Sequence, residues 1–304
     1  MEFNETYRRQ VALLIRTTPS IAAEECFAMK GGTAINLFVR DLPRLSVDID
    51  LTYLPIQPRA QSLAEIEAAL LRIGSRIDKA LPEVRVTPSR SRETNVTKLI
   101  VRRGTEQIKI EVTPVLRGCV FEPEMRDVSP SVEAAFGFAE MRIVSFADLY
   151  AGKIVAALDR QHPRDLYDIR DLLRIEGIDE ALRQAFVVYL LSHDRPMAEV
   201  LGSRQKNISQ EFERGFVGMS REPVTIEALV GARAALVAEI LGTMPINHRT
   251  FLLSFERGTP DWSLLGIEHA PKLPAVRWRQ QNLDTLMPAA RAALVDRLEA
   301  ALSI

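Results

Sequence analysis

Asp48 and Asp50, set two residues apart, are the residues of this chain best suited to metal-assisted chemistry. They stand in Ser46-Val47-Asp48-Ile49-Asp50-Leu51, where polar and apolar residues alternate with the period of a β-strand. In that register Val47, Ile49 and Leu51 face a core, while Ser46, Asp48 and Asp50 share the other face. Two neighbouring carboxylates repel each other unless a cation sits between them, and hard oxygen ligands of this kind hold Mg²⁺. Acids also alternate with apolar residues on many solvent-facing strands, so the pair gains meaning from what precedes it. Upstream, Cys26-Phe27-Ala28-Met29 predicts a short strand and Gly31-Gly32-Thr33 a turn. Ala34-Ile35-Asn36-Leu37-Phe38-Val39 predicts the first turns of a helix. A glycine turn feeding a helix start presents unpaired backbone N–H groups, which suit a phosphate.

A third acid lies in a second alternating segment. Across residues 107–114, Ile108, Ile110 and Val112 point to one side and Lys109, Glu111 and Thr113 to the other. This strand reads as the partner of residues 98–103 in a hairpin turning at Gly104-Thr105. Beside the Asp48–Asp50 strand, Glu111 would complete the three-carboxylate cluster that two-metal phosphoryl transfer uses. The plainer alternative is a Lys109–Glu111 pair on an exposed face. Farther along, Ser145-Phe146-Ala147-Asp148 has the form of a capping box opening a helix to about Leu158. Lys153 sits on it among small and apolar neighbours. Pro163 opens the next helix, which carries Asp165 and Asp168. By residue type alone, Lys153 snorkels from a helix face and Arg164–Asp168 is an i,i+4 pair.

The elements that must position these residues follow from periodicity. Residues 5–17 form an amphipathic helix that Pro19 and Ser20 break, with a short helix over 21–25. Residues 63–79 form a second helix, with apolar positions at 63, 66, 70, 73 and 77. Val84-Arg85-Val86 reads as a strand, and residues 120–144 as irregular chain. Beyond them helical periodicity covers 182–191, 226–241, 248–255 and 289–302. Arg85, Arg90, Arg92, Lys98, Arg102 and Arg103 crowd around two predicted strands, as a solvated face or as a basic rim for phosphates. Arg195, Arg204, Lys206 and Arg214 form a second basic tract, better read as a solvated helix face. Trp262 and Trp278 are better suited to packing than to stacking on a base.

Composition bounds the class. A chain of 304 residues accommodates two domains, or one domain with a large appendage. Two cysteines without paired spacing and four scattered histidines argue against a disulfide framework or a zinc site. The net charge of −1 gives no overall pull toward nucleic acid, so any basic surface is local. Without a membrane-length apolar run or a signal-peptide core, a cytoplasmic protein with no membrane partner is expected.

The order of glycine turn, helix and acidic strand resembles the nucleotidyltransferase fold of the polymerase beta type. Two longer stretches sharpen the likeness: Gly31-Gly32-Thr33 followed by Arg44-Leu45-Ser46-Val47-Asp48-Ile49-Asp50-Leu51, and the run from Ala151 to Ile169, AGKIVAALDRQHPRDLYDI. Both are similar to signatures of the AbiEii/AbiGii toxin nucleotidyltransferases, the toxin halves of bacterial toxin–antitoxin and phage-defence pairs. The serine that the polymerase beta type usually carries after its first glycine is replaced by Gly32 and then Thr33, so the hydroxyl facing a triphosphate falls to Thr33 or Ser46.

The resemblance implies an α/β nucleotidyltransferase core, a mixed sheet flanked by helices, over residues 1–170, and a mainly helical C-terminal domain over 171–304. It implies that Asp48 and Asp50, with Glu111, bind Mg²⁺ or Mn²⁺, and that Gly31, Gly32, Thr33, Arg44, Ser46 and Lys153 bind an NTP. Asp165 or Asp168 supplies the acid of the last motif. It further implies an RNA acceptor, with the tRNA 3′ end foremost, and a winged-helix antitoxin as partner. Two other functions compete: a nucleotidyltransferase acting on an aminoglycoside-like small molecule, and a nucleotide-binding partner protein without turnover.

Overall fold

The computed structural model describes residues 3–90 and 95–302; Arg92 lies outside the described residues. The chain divides into two compact units, Met1–Ser145 with Val217–Pro223, and Phe146–Phe216 with Val224–Ile304.

In the first unit α1 (Glu5–Ala22) leads to β1 (Phe27–Lys30) and α2 (Gly31–Thr33), which runs into a π-helical turn (Ala34–Val39). There follow β2 (Asp48–Tyr53), α3 (Arg59–Ala80), β3 (Arg85–Arg90), β4 (Val96–Arg103) and β5 (Glu106–Arg117). The unit is completed by β6 (Glu124–Asp127), α4 (Pro130–Phe136) and β7 (Glu140–Ile143). The seven strands make one mixed sheet in the order β3-β4-β5-β2-β1-β7-β6. β2 runs parallel to β5 and β1 parallel to β7; the other pairings are antiparallel. Ile49 lies across from Ile110, and Ile110 across from Leu99, so one sheet face is continuously apolar. Helix α3 covers that face: a Cβ on Gly74 would stand 3.4 Å from Val86 and 3.9 Å from Leu99. Leu63, Ile66, Leu70, Ile73 and Ile77 are buried beneath it, as their spacing predicts.

Three expectations need correction. Pro19 does not break the first helix, which continues to Ala22. A proline inside a helix costs about 3 kcal/mol. Pro19 faces solvent in the last turn, while full burial of Ile21 returns about 1.5–3 kcal/mol. Residues 120–144 are not irregular but hold two strands and a helix. β6 shows no alternation because its residues are mostly exposed, and it is held by pairing with β7. Finally, β2 begins at Asp48, and the alternation fails ahead of it, where Ser46 is buried and Val47 half-buried. There the chain is drawn toward the 217–223 segment: Arg44 bridges Ser220, and the Leu45 N–H donates to the Met219 carbonyl at 2.7 Å.

The second unit is helical: α5 (Phe146–Asp159), α6 (Pro163–Ile175), α7 (Glu180–Leu191), α8 (Met197–Leu201), α9 (Ser209–Gly215), α10 (Ile226–Gly242), α11 (Ile246–Glu256), α12 (Pro274–Asp284) and α13 (Pro288–Leu302). α5 packs on α7, and α6 on α10. Trp262 packs against Phe251 with ring centroids 4.9 Å apart, which settles its packing role; Trp278 is half exposed. Among the described residues no single helix is long and apolar enough to cross a membrane.

Because Pro19 is tolerated and not required, Pro19→Ala should restore a backbone donor and raise stability by up to about 3 kcal/mol. A urea unfolding midpoint at or below that of the parent would show instead that the proline shapes the helix end.

Candidate active site

The polar face of the sheet gathers the first group of candidates. Strand register sets Asp50 across from Lys30 on one side and Glu111 on the other, and Asp48 across from Lys109. Asp48, Asp50 and Glu111 therefore share a face, as the parallel pairing of β2 with β5 requires. Each acid meets a cation from a neighbouring strand. Lys109 Nζ lies 3.6 Å from Asp48 Oδ1, and Lys98 Nζ lies 3.0 Å from Glu111 Oε2. The simple Lys109–Glu111 pair is thus replaced by two crossed pairs. Among the described residues no three His, Cys, Asp or Glu side chains form a ready metal cage. The donor set nevertheless suits a hard cation: carboxylate oxygens, about one-third to one-half exposed at Asp48 and Glu111, converge on one face.

The glycine turn is pressed onto this acid strand. Gly31 adopts φ +76°, a left-handed conformation that favours glycine. A Cβ there would stand 2.6 Å from Asp50 Oδ2, so a side chain is excluded on both counts. Gly32 is equally tight, its missing Cβ lying 2.7 Å from Arg44 Nη2 and 3.1 Å from Ser46 Oγ. Thr33 Oγ1 is 3.0 Å from Ser46 Oγ and also hydrogen-bonds the Asp48 carbonyl. Both hydroxyls are buried, so they tie the turn to the strand. Arg44 is buried too, and its Nη1 donates to the Leu45 carbonyl at 2.9 Å. Asn36 donates back to the Gly32 carbonyl at 2.9 Å, bracing the turn from the π-helical side.

Sequence reasoning missed Lys30. It is half-buried beside Asp50, and desolvation pushes its ammonium pKa down, with Asp50 the strongest opposing pull. Its signal was a lysine directly before the glycine pair, at the end of a strand whose partner carries the acids.

The remaining candidates form a cluster in the second unit. Lys153 on α5 is buried, with Nζ 2.7 Å from Asp165 Oδ1 and 3.1 Å from Asp168 Oδ2, both on α6. Arg160 adds a bond to Asp165 Oδ2 at 2.6 Å. Lys153 therefore does not snorkel; it is the shared counter-charge of two buried aspartates. Burial pushes the Asp165 carboxyl pKa up, but Lys153 and then Arg160 outweigh it and hold it well below the usual carboxylate range. In the second basic tract Arg195 pairs with Asp159 and Glu199, while Arg204 and Arg214 are exposed.

A lowered folded-state pKa makes Asp165 stabilising above its unfolded value of about 4 and progressively less so as pH falls below it. Asp165→Asn should therefore destabilise the protein at neutral pH and flatten the acid limb of its stability curve. Removing one partner of a buried pair costs about 3–5 kcal/mol. Unfolding midpoints from pH 7 downward check this; equal acid sensitivity in parent and variant would contradict it.

No curated protein matches the chain. Among solved structures the fold is similar to that of MenT4, a nucleotidyltransferase toxin from Mycobacterium tuberculosis, with a TM-score of 0.60 at 16% identity, covering 91% of this chain and 93% of that one. The expected mixed sheet with a mainly helical C-terminal part is thus a fold that such toxins use. The family described as nucleotidyl transferase AbiEii toxin of type IV toxin–antitoxin systems matches residues 13–282. Membership of that family implies a nucleoside triphosphate substrate and an antitoxin partner. The chain belongs to the AbiEii nucleotidyltransferase toxins.

Proposed function

We propose that this nucleotidyltransferase moves a nucleotide from an NTP to the 3′ end of an RNA, with tRNA the leading acceptor, as the toxin of a phage-defence pair in the cytoplasm. The observation that carries the reading is the contact of Gly31 with Asp50, which joins the phosphate-type turn to the acid strand. In this reading residues 1–170 form the catalytic domain and residues 171–304 a helical domain. A winged-helix protein is the antitoxin.

The acceptor hydroxyl attacks the α-phosphate and pyrophosphate leaves, so one P–O bond forms as another breaks. Asp48 and Asp50, with Glu111 as third donor, would hold Mg²⁺ or Mn²⁺, and such an ion would supply charge stabilisation at the phosphates and a lowered hydroxyl pKa. Backbone N–H groups of the Gly31-Gly32-Thr33 turn orient the phosphates at a helix start. Thr33, Ser46 and the buried Arg44 hold that turn in shape. Lys109 and Lys98 are positioned to exchange their carboxylate partners for phosphate oxygens as the site fills. The family resemblance assigns Lys153, fixed by Asp165 and Asp168, to contact with nucleotide phosphates.

Incubating the purified protein with total RNA and each labelled NTP in Mg²⁺ should label RNA. Asp48→Ala and Asp50→Ala should abolish labelling with the fold intact, and Glu111→Gln should slow it with little loss of NTP affinity. Lys153→Arg should keep the thermal melt and lose part of the rate, because the planar fork places its charge differently. Undiminished labelling by either aspartate variant would overturn the metal assignment.

A further inference from the structure

The acid-bearing face does not end at Glu111. The same register continues through β4 to the edge strand β3, and residues paired across strands share a face. One row runs from Lys30 through Asp50 and Glu111 to Lys98. A parallel row pairs Asp48 with Lys109. Toward the edge, Arg102 lies across from Arg85. The polar face thus changes sign along its length, acidic at β2 and cationic at β3 and β4.

Arg85 and Arg102 are the informative pair. Both are exposed, and Arg102 makes one hydrogen bond, at 2.8 Å, to Gln107 Oε1. Among the described residues neither has a carboxylate partner. Like charges directly opposite on neighbouring strands destabilise a sheet. Other arginines of this unit are neutralised locally, as Arg72 and Arg76 are by Glu24. An uncompensated pair on the face of the catalytic acids is relieved by a polyanion lying across it. Arg102 is four residues along β4 from Lys98, about 13 Å at the strand rise. The cations therefore extend beyond one triphosphate seated at Asp48 and Asp50, over a span that covers more than one internucleotide step of a strand.

We propose that Arg85 and Arg102, continuing through Lys98 and Lys109 to the acids, form the track on which the phosphate backbone of a single-stranded RNA acceptor lies as its 3′ end enters the site. The inference rests on the reading of RNA as acceptor. It assigns the acceptor side of the reaction to the β3–β4 edge, and assigns no such role to the basic tract at residues 195–214.

The test measures binding of a fluorescein-labelled single-stranded RNA oligonucleotide with a free 3′ hydroxyl, by anisotropy over a salt series. It compares the parent, Arg85→Glu/Arg102→Glu, and Arg204→Glu/Arg214→Glu. The first double variant should bind about tenfold more weakly, and its slope of log affinity against log salt should fall by about 1.4, the release expected from two single-strand phosphate contacts. Its thermal melt and its affinity for a fluorescent NTP analogue should match the parent, and the second double variant should bind RNA as the parent does. Parental binding by Arg85→Glu/Arg102→Glu, or loss confined to Arg204→Glu/Arg214→Glu, overturns the track while leaving RNA as acceptor. No RNA binding by the parent overturns both. Should Arg85→Glu/Arg102→Glu melt lower, Arg85→Gln/Arg102→Gln must show the same slope change of about 1.4 with a normal melt, and an unchanged slope overturns the track.

Discussion

The close approach of Gly31 to Asp50 constrains the rest of the first unit. A backbone held at φ +76° with no room for a Cβ brings the turn against a carboxylate that an ordinary residue would hold away. β1 pairs antiparallel with β2, so Lys30 opposes Asp50 and the chain turns immediately afterwards. β2 in turn lies beside β5 in parallel, setting Glu111 next to Asp50. The loop ahead of β2 cannot relax outward, because Arg44 and Ser46 pack under Gly32 and Leu45 is tied to Met219. One glycine contact thus connects strand order, register and the buried polar shell beneath the turn.

The two units manage charge in different ways. On the sheet, acids and lysines are partly exposed and alternate across strands, so each pairing is worth little and is easily exchanged. In the helical unit Lys153 and its aspartates are buried, where an unpaired charge is costly and a satisfied cluster is rigid. A lysine held this way is fixed in place by both aspartates.

Much of this was legible in the sequence where periodicity was strong. The five apolar positions of α3, the β4–β5 hairpin and the alternation of Asp48 to Leu51 are all two-state patterns that burial enforces. What was not legible depended on partners far along the chain. β6 and β7 have four residues each and are defined by pairing with one another and with β1. Pro19 carries a local stop signal that burial of Ile21 overrides. The burial of Ser46 follows from the Gly32 contact and the 217–223 segment, which no local pattern announces. Likewise the residue types around Lys153 allowed a snorkelling lysine, and only the packing of α5 on α6 brought both aspartates to it.

The contact between turn and acid strand is tested most directly at Gly31. Gly31→Ala adds one methyl group at 2.6 Å from Asp50 Oδ2 and imposes left-handed backbone on alanine, a local cost of about 1–2 kcal/mol. The decisive measurement is labelled-nucleotide incorporation into RNA at saturating NTP, read beside the thermal melt. Incorporation should fall by orders of magnitude while the protein stays folded, since Asp50 must move and the glycine turn must open. Parental incorporation by a folded Gly31→Ala protein would contradict the account, because turn and acid strand would then act without the contact that unites them.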